Sequence, residues 1–560
     1  MMRTAALRSP PMAQKLLRAN ALLPPVVFAL LSSLAGFALN GCARRETAVD
    51  AGIRTQTLQL NNAGDARDFD PQTTTLPADF NVIRALMEGL VEIDPADCHA
   101  VPGVAERWET SPDGLTWTFH LRAGARWSNG DPVTAHDFAY ACRRILSPAL
   151  GAEFREQFFC LKNAEEFTAG KLADFARVGA RAADARTFVL TLKQPVPYLP
   201  TLAAQCPWYP VHRDTIERYG RMDQRATAWT KPGHFVGNGA FLLQEWKPNQ
   251  VVRVVKSPTY WDRDRVRLRE VVFHPIENVA VGETAFRAGQ LHVTGLPVDK
   301  VASYRGDPRT APLLHESPSL ETAFLRLNCR RAPLSDVRVR RALSLALDRG
   351  QLARRVVHCE QPAFALTPPG CAGYTAARAL ATDGAEARRL LAAAGFPEGR
   401  GFPRLEVMFY LFFGSEQPVA EAIQQMWHRQ LGVDVALVKQ ELKVTQAARR
   451  SGAFQIIISG WTGDYLDPTT FLDLGHSANA NNCSGWASAA YDRFLAEAAG
   501  TPDQAKRYGI LRRAEALLLA ELPFIPLFHE PFRHLRHPAV RGWRDNLLDL
   551  HPLKHVYLEK

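Results

Sequence analysis

An α/β fold is the architecture this sequence predicts, and three observations predict it. Short runs of alternating apolar and polar residues, closed off by Gly, Pro, Asn and Asp, fill the first half of the chain. Longer stretches with apolar residues at helical spacing take over in the second half. Strands recur between those helices, so sheets carry helices throughout and a β-sandwich is disfavoured. At 560 residues the chain exceeds one ordinary domain and has room for two or three buried cores.

The elements follow in chain order. Residues 57–61 (TLQLN) alternate as a strand, and 80–90 (FNVIRALMEGL) set apolar residues one helical turn apart. Residues 115–121 put Leu115, Trp117, Phe119 and Leu121 on one strand face. The turn Pro112-Asp113-Gly114 precedes that strand, and Asn129-Gly130-Asp131-Pro132 follows it. Thr134 stands three residues ahead of Asp137, the spacing of a capping box. Strands are expected at 185–192, 251–256 and 268–275, with a Gly-rich turn inside 235–243. Asp336 is placed to cap a helix over 337–349, where Val339, Ala342, Leu343 and Ala346 share a face. Further helices are expected at 385–394, 419–431 and 505–520, and further strands at 433–438 and 524–528. No internal repeat occurs.

The N-terminus reads as an export signal. Arg3, Arg8, Lys15 and Arg18 stand with no acid among them, and residues 21–39 are almost wholly apolar or small. The run is short for a membrane span, and it ends Leu39-Asn40-Gly41-Cys42. That ending resembles the lipobox of bacterial lipoproteins, in which the Cys is acylated, so Cys42 is the expected lipidation site. An ordinary signal peptide with an incidental Cys42 is the alternative. Residues 42–54 are polar and aperiodic, and are expected to form a flexible tether. The whole-chain charge of +10 falls to +6 without the four leader bases. No block of like charge is present, so nucleic-acid binding is disfavoured.

Eight cysteines remain beyond Cys42, and no Cys-x-x-Cys occurs. Cys359 and Cys371 flank a Pro-rich loop and are the first candidate disulfide, with free buried thiols as the alternative. The chain lacks GxxxxGK[ST], GxSxG and HExxH, so no enzyme is expected. His529, His534 and His537 lie close in sequence. Their spacings fit no compact helical pair for all three, and Arg533 and Arg536 oppose a cation. No metal and no cofactor are therefore expected.

Several blocks carry a family resemblance. GVAERW, TWTFHLR and ARWSNGDPVTAHDF fall in that order within residues 101–138. GNGAFLL (237–243), SPTYWD (257–262), APLSDVRVRRALSLALDR (332–349) and SGWTGDYLDPTTF (459–471) extend the likeness. Together they resemble the peptide-type solute-binding proteins that serve ABC importers, over nearly all of the chain beyond residue 57. The resemblance implies a two-lobed periplasmic-binding-protein-like fold with an extra domain inserted in lobe one. Lobe one would comprise 55–100, 207–317 and 531–560, the inserted domain 101–206, and lobe two 318–530, after a signal peptide at 1–41. It also implies capture of oligopeptides in an interlobe cleft and delivery to an ABC transporter permease. The protein would be a periplasmic monomer anchored to membrane through Cys42, with inner and outer membrane both open. Other solutes stay open (a dipeptide, a cell-wall peptide, haem or a metal chelate), as does a peptide-sensing signalling role.

Residue roles come from the same resemblance. Asp464 matches the acid that clamps the ligand's α-ammonium, with a loop-capping role as the alternative. Asp467, ahead of Pro468, suits capping better. Gly463 lets backbone approach closely, while Trp461 and Tyr465 wall the site, with an ordinary core role as the alternative for Trp461. Asn238, Gly239 and Ala240 match a stretch that offers main-chain contacts to an extended ligand, against the alternative of a plain hairpin turn. Arg449 and Arg450 stand near a position that meets a ligand carboxylate, although a helix-surface role is the simpler expectation. Leu442 stands where oligopeptide-binding members carry a second cleft Trp, which leaves ligand length and side-chain preference open.

Overall fold

The computed structural model describes residues 46–560 apart from residue 360 and residues 411–414. Cys42 and the leader lie outside the described residues. Residues 47–560 form one compact unit. Among the described residues no helix is long and apolar enough to cross a membrane.

Two large sheets organise this unit. The first has seven strands, in the order Leu314–Ser317, Phe532–Arg536, Val293–Gly295, Thr57–Asn61, Glu270–His274, Val251–Lys256 and Phe241–Lys247. Thr57–Asn61 runs parallel to both neighbours, and the flanking pairs are antiparallel. Leu58, Val271, Val272 and Phe273 are buried at its centre, as parallel strands require. The second sheet runs Val435–Lys439, Leu405–Phe409, Ile456–Thr462, Glu321–Leu327, Phe524–Phe528. Its strand Glu321–Leu327 is buried at every position. The helices Val337–Leu345, Gly384–Ala393 and Glu416–Leu431 pack Leu343, Leu391, Ile423 and Trp427 onto that sheet. Trp427 is fully buried and its Nε1 donates to the Leu343 carbonyl at 2.8 Å, so its polar edge is satisfied.

The chain passes between the two sheets twice, at 318–320 and 529–531, and this makes two lobes with two linking segments. The crossings are tied together. Ser319 Oγ donates to the Glu530 carbonyl, and Thr322 Oγ1 bonds His529 Nδ1 at 2.9 Å. Burial and the neighbouring Glu530 push the Glu321 carboxyl up to about 8. An antiparallel four-stranded sheet, Ala105–Thr110, Thr116–Leu121, Thr187–Thr191 and Ala180–Asp184, interrupts the first lobe in chain order. The Thr134–Asp137 capping box forms as its spacing predicts, with Thr134 N donating to Asp137 Oδ2 at 2.7 Å.

Three expectations are corrected. Residues 48–55, assigned largely to a flexible tether, form the helix Ala48–Thr55. Thr47 caps it by accepting from Asp50 N at 3.0 Å, and Val49 is buried with its N–H on the Gly289 carbonyl. The helix expected over 337–349 stops at Leu345, because Asp348 caps a new turn, Arg349–Gln351, that runs into the π-helix Leu352–Val357. Cys359 and Cys371 form no disulfide with each other, and both are buried.

Candidate functional site

The strand Ile456–Thr462 builds one wall of the site. It pairs with Glu321–Leu327 over its whole length, from Ile456 opposite Leu327 to Thr462 opposite Glu321. On its other side Leu405–Phe409 reaches only Ile456 and Ile457. Among the described residues, Ile458 to Thr462 therefore present an open sheet edge. A small pocket lies against it, lined by Ser459, Gly460, Tyr410 and Phe528. An open edge offers alternating N–H and C=O groups to any extended chain, whatever its side chains.

The edge leads into the turn that carries Asp464. Gly463 donates its N–H to the Leu320 carbonyl at 2.7 Å, which ties this turn to a linking segment. A Cβ at residue 463 would stand 2.5 Å from Leu320 Cδ2 and 3.0 Å from Thr470 Cγ2, so only glycine fits. Asp464 N donates to Thr470 Oγ1 at 2.9 Å, and Gln205 Nε2 donates to the Asp464 carbonyl. The backbone is thus held from both sides. The carboxylate is not: among the described residues it has neither a hydrogen-bond donor nor a cation. The residue keeps an exposed face, but the protein crowding around it strips much of the carboxyl's hydration. That burial pushes its pKa up to about 6.

Asp467 behaves in the opposite way. Both of its oxygens accept from the Arg507 guanidinium at 2.7 Å, and it also accepts from Thr469 N at 3.0 Å. This is a fully paired structural carboxylate, as the residue before Pro468 was expected to be. Tyr465 stacks on Tyr198 with ring centroids 4.5 Å apart and planes within 4°. Trp461 is half-buried and its Nε1 reaches Thr470 Oγ1 at 3.4 Å. Trp461, Gly463, Asp464 and Tyr465 therefore share one neighbourhood.

Asn238, Gly239 and Ala240 belong elsewhere, in the first lobe, and their polar groups are largely committed. Asn238 exchanges two hydrogen bonds with the Glu88 backbone, at 2.9 and 3.0 Å. Gly239 N donates to the Leu86 carbonyl at 2.9 Å, and the Ala240 carbonyl accepts from Ser257 N at 2.9 Å. This loop locks the end of the helix Pro77–Leu86 in place. Leu442 is exposed at the start of the helix Leu442–Ser451, with Val444 exposed beside it.

Residues outside the motifs complete the picture. Tyr198 and Gln205 come from the segment following the four-stranded sheet, and no local pattern marks them as partners of 464–465. Arg326 is fully buried, lies over the rings of Phe324 and Phe524 and donates Nη1 to the Asn481 carbonyl at 2.8 Å, while among the described residues its Nε and Nη2 have no hydrogen-bond partner. Arg449 lies near enough to repel it, and among the described residues its buried Nε likewise has no hydrogen-bond partner. Burial first, and Arg449 second, hold the Arg326 guanidinium down at about 10.

Known proteins share this architecture. Residues 99–482 match the family described as "Bacterial extracellular solute-binding proteins, family 5 Middle". The chain is 32% identical to the periplasmic oligopeptide-binding protein OppA of Salmonella typhimurium over 529 residues, covering 91% of this chain and 94% of that protein. The unliganded open form of MppA, a periplasmic murein tripeptide binding protein, superposes with a TM-score of 0.78 at 32% identity, covering 90% and 97% of the two chains. Haemophilus influenzae OppA in complex with RPPGFSPFR superposes with a TM-score of 0.72 at 31% identity, covering 90% and 99%. With the family matched across most of the chain and near full-length likeness to these relatives, this chain belongs to the family 5 bacterial extracellular solute-binding proteins.

Proposed function

We propose that this chain is the substrate-binding component of an ABC importer and captures oligopeptides between its two lobes. One observation carries the reading. An unpaired carboxylate, Asp464, stands at the end of an open sheet edge, where it meets the amine of a peptide whose backbone adds to Ile458–Thr462. The desolvated carboxylate prefers a cationic partner, and an ammonium supplies one through charge-assisted hydrogen bonds. Trp461 and Tyr465 border the first side chain. The neighbouring guanidinium groups of Arg326 and Arg449 offer positive charge to the carboxylate at the other end. The bound peptide leaves unchanged; the chain holds and releases it. The relatives named for oligopeptide and murein tripeptide binding support this reading. The apolar leader and Cys42 suit export to the periplasm and a lipid anchor, from which the closed lobes would present the peptide to a permease.

The test is native mass spectrometry of the protein purified from its own periplasm beside an Asp464→Asn variant. A series of co-purifying peptide masses in the wild type, absent in the variant, is the expected result. A single non-peptide mass, or peptides indifferent to the substitution, would remove the basis for the reading.

A further inference from the structure

His534, Asp549 and His551 meet in the first lobe. His534 lies on the strand Phe532–Arg536, while Asp549 and His551 lie in the segment after Val540–Arg541. His534 Nε2 stands 2.8 Å and His551 Nε2 2.7 Å from one atom, Asp549 Oδ1. His551 Nδ1 lies 2.9 Å from the Arg544 carbonyl oxygen, which only accepts, so that nitrogen carries a proton. In the neutral ring Nε2 then points a lone pair at a carboxylate oxygen. Two acceptors in contact need a shared positive charge: a second proton at the observed spacing, or a metal ion once the side chains part to about 3 Å or more, as metal–ligand bonds of about 2.0–2.2 Å require.

The surroundings favour a built site. Trp543 stacks on His551 with centroids 4.0 Å apart, which fixes the ring. The His551 side chain is only 6% exposed. All three residues line one cavity of about 240 Å³, to which Arg84, Glu92 and Thr294 also contribute. The His551 Nδ1 bond to a backbone carbonyl is the outer contact that orients a metal-bound imidazole and sets its tautomer. We propose that His534, Asp549 and His551 form a binding site for a divalent first-row transition-metal ion. Two imidazole nitrogens and one carboxylate oxygen suit Zn2+, Co2+ or Ni2+, and three protein ligands leave positions open toward the cavity. Sequence spacing groups His534 with His529 and His537 instead. In the structure His529 is bonded to Thr322, and His537 accepts from Ala539 N at 3.2 Å.

The experiment titrates Zn2+ and Co2+ into the full chain, purified in detergent and stripped of metal. One equivalent binds, Co2+ shows ligand-field bands without sulfur charge transfer, and His551→Ala and Asp549→Asn each weaken binding well beyond about tenfold. Circular dichroism shows whether each variant is folded. Anomalous diffraction from Zn2+-soaked wild-type crystals does not depend on the variants, and it places the ion about 2.0–2.2 Å from all three ligand atoms. No stoichiometric binding, unchanged affinity in folded variants, sulfur charge transfer, or an ion elsewhere would each overturn the site. The trio would then be a protonated histidine held by a carboxylate.

Discussion

At the scale of single residues, the contrast between Asp464 and Asp467 decides function. The two stand three positions apart, yet one carboxylate is locked onto Arg507 and the other has no partner among the described residues. Removing the Asp464 charge should cost a peptide about 1.5–3 kcal/mol of binding, or about 10- to 150-fold in Kd, readable by calorimetry with Asp464→Asn. The same substitution should not lower the unfolding temperature of the ligand-free protein at pH 7. The folded-state pKa is raised, so ionised Asp464 opposes folding, and that penalty is relieved only as pH falls below about 6. Binding has its own pH dependence. An ammonium selects the ionised carboxylate, so affinity should hold above about pH 6 and fall about tenfold per unit below it. Titrations from pH 4.5 to 8 check this, and a profile unchanged by Asp464→Asn would assign the effect to another group.

At the scale of elements, the open edge of Ile456–Thr462 and the turn after it act together. Gly463→Ala would drive a methyl into Leu320 and Thr470, at an overpacking cost of about 1–3 kcal/mol. Chemical denaturation would show it as a lowered midpoint, together with weaker peptide binding because Leu320 belongs to a linking segment. Much at this scale was legible in the sequence. The alternation in 115–121, the Thr134–Asp137 box and the Asp336 cap each form as their local chemistry dictates. The helix Ala48–Thr55 carried its own signal, Thr47 three residues ahead of Asp50, which the polar composition masked. Pairing with distant residues was not legible. That Leu405–Phe409 leaves an edge free, that Tyr198 and Gln205 reach the 464–465 turn, and that Asn238 turns inward onto Glu88 all depend on contacts 150 or more positions apart or on a neighbour's length. Motifs marked where Asp464 sits; its lack of a partner is a property of the fold.

At the scale of the whole molecule, two lobes joined at 318–320 and 529–531 are drawn toward a closed form by anything that contacts both. A ligand shifts that equilibrium by the contacts it makes in the closed form alone. Small-angle X-ray scattering should therefore show a smaller radius of gyration with peptide at a few times its wild-type Kd, and a markedly smaller change for Asp464→Asn at the same concentration. The stack of Tyr198 on Tyr465 would strengthen such closure, since it joins the segment after the four-stranded sheet to the second lobe. The most direct test of the central claim is calorimetry of one tripeptide with a free amine and the same tripeptide N-acetylated, against wild type and Asp464→Asn. The free amine should favour binding by about 10- to 150-fold in the wild type and by little in the variant. Equal affinity of the two peptides for the wild type would contradict an ammonium clamp at Asp464.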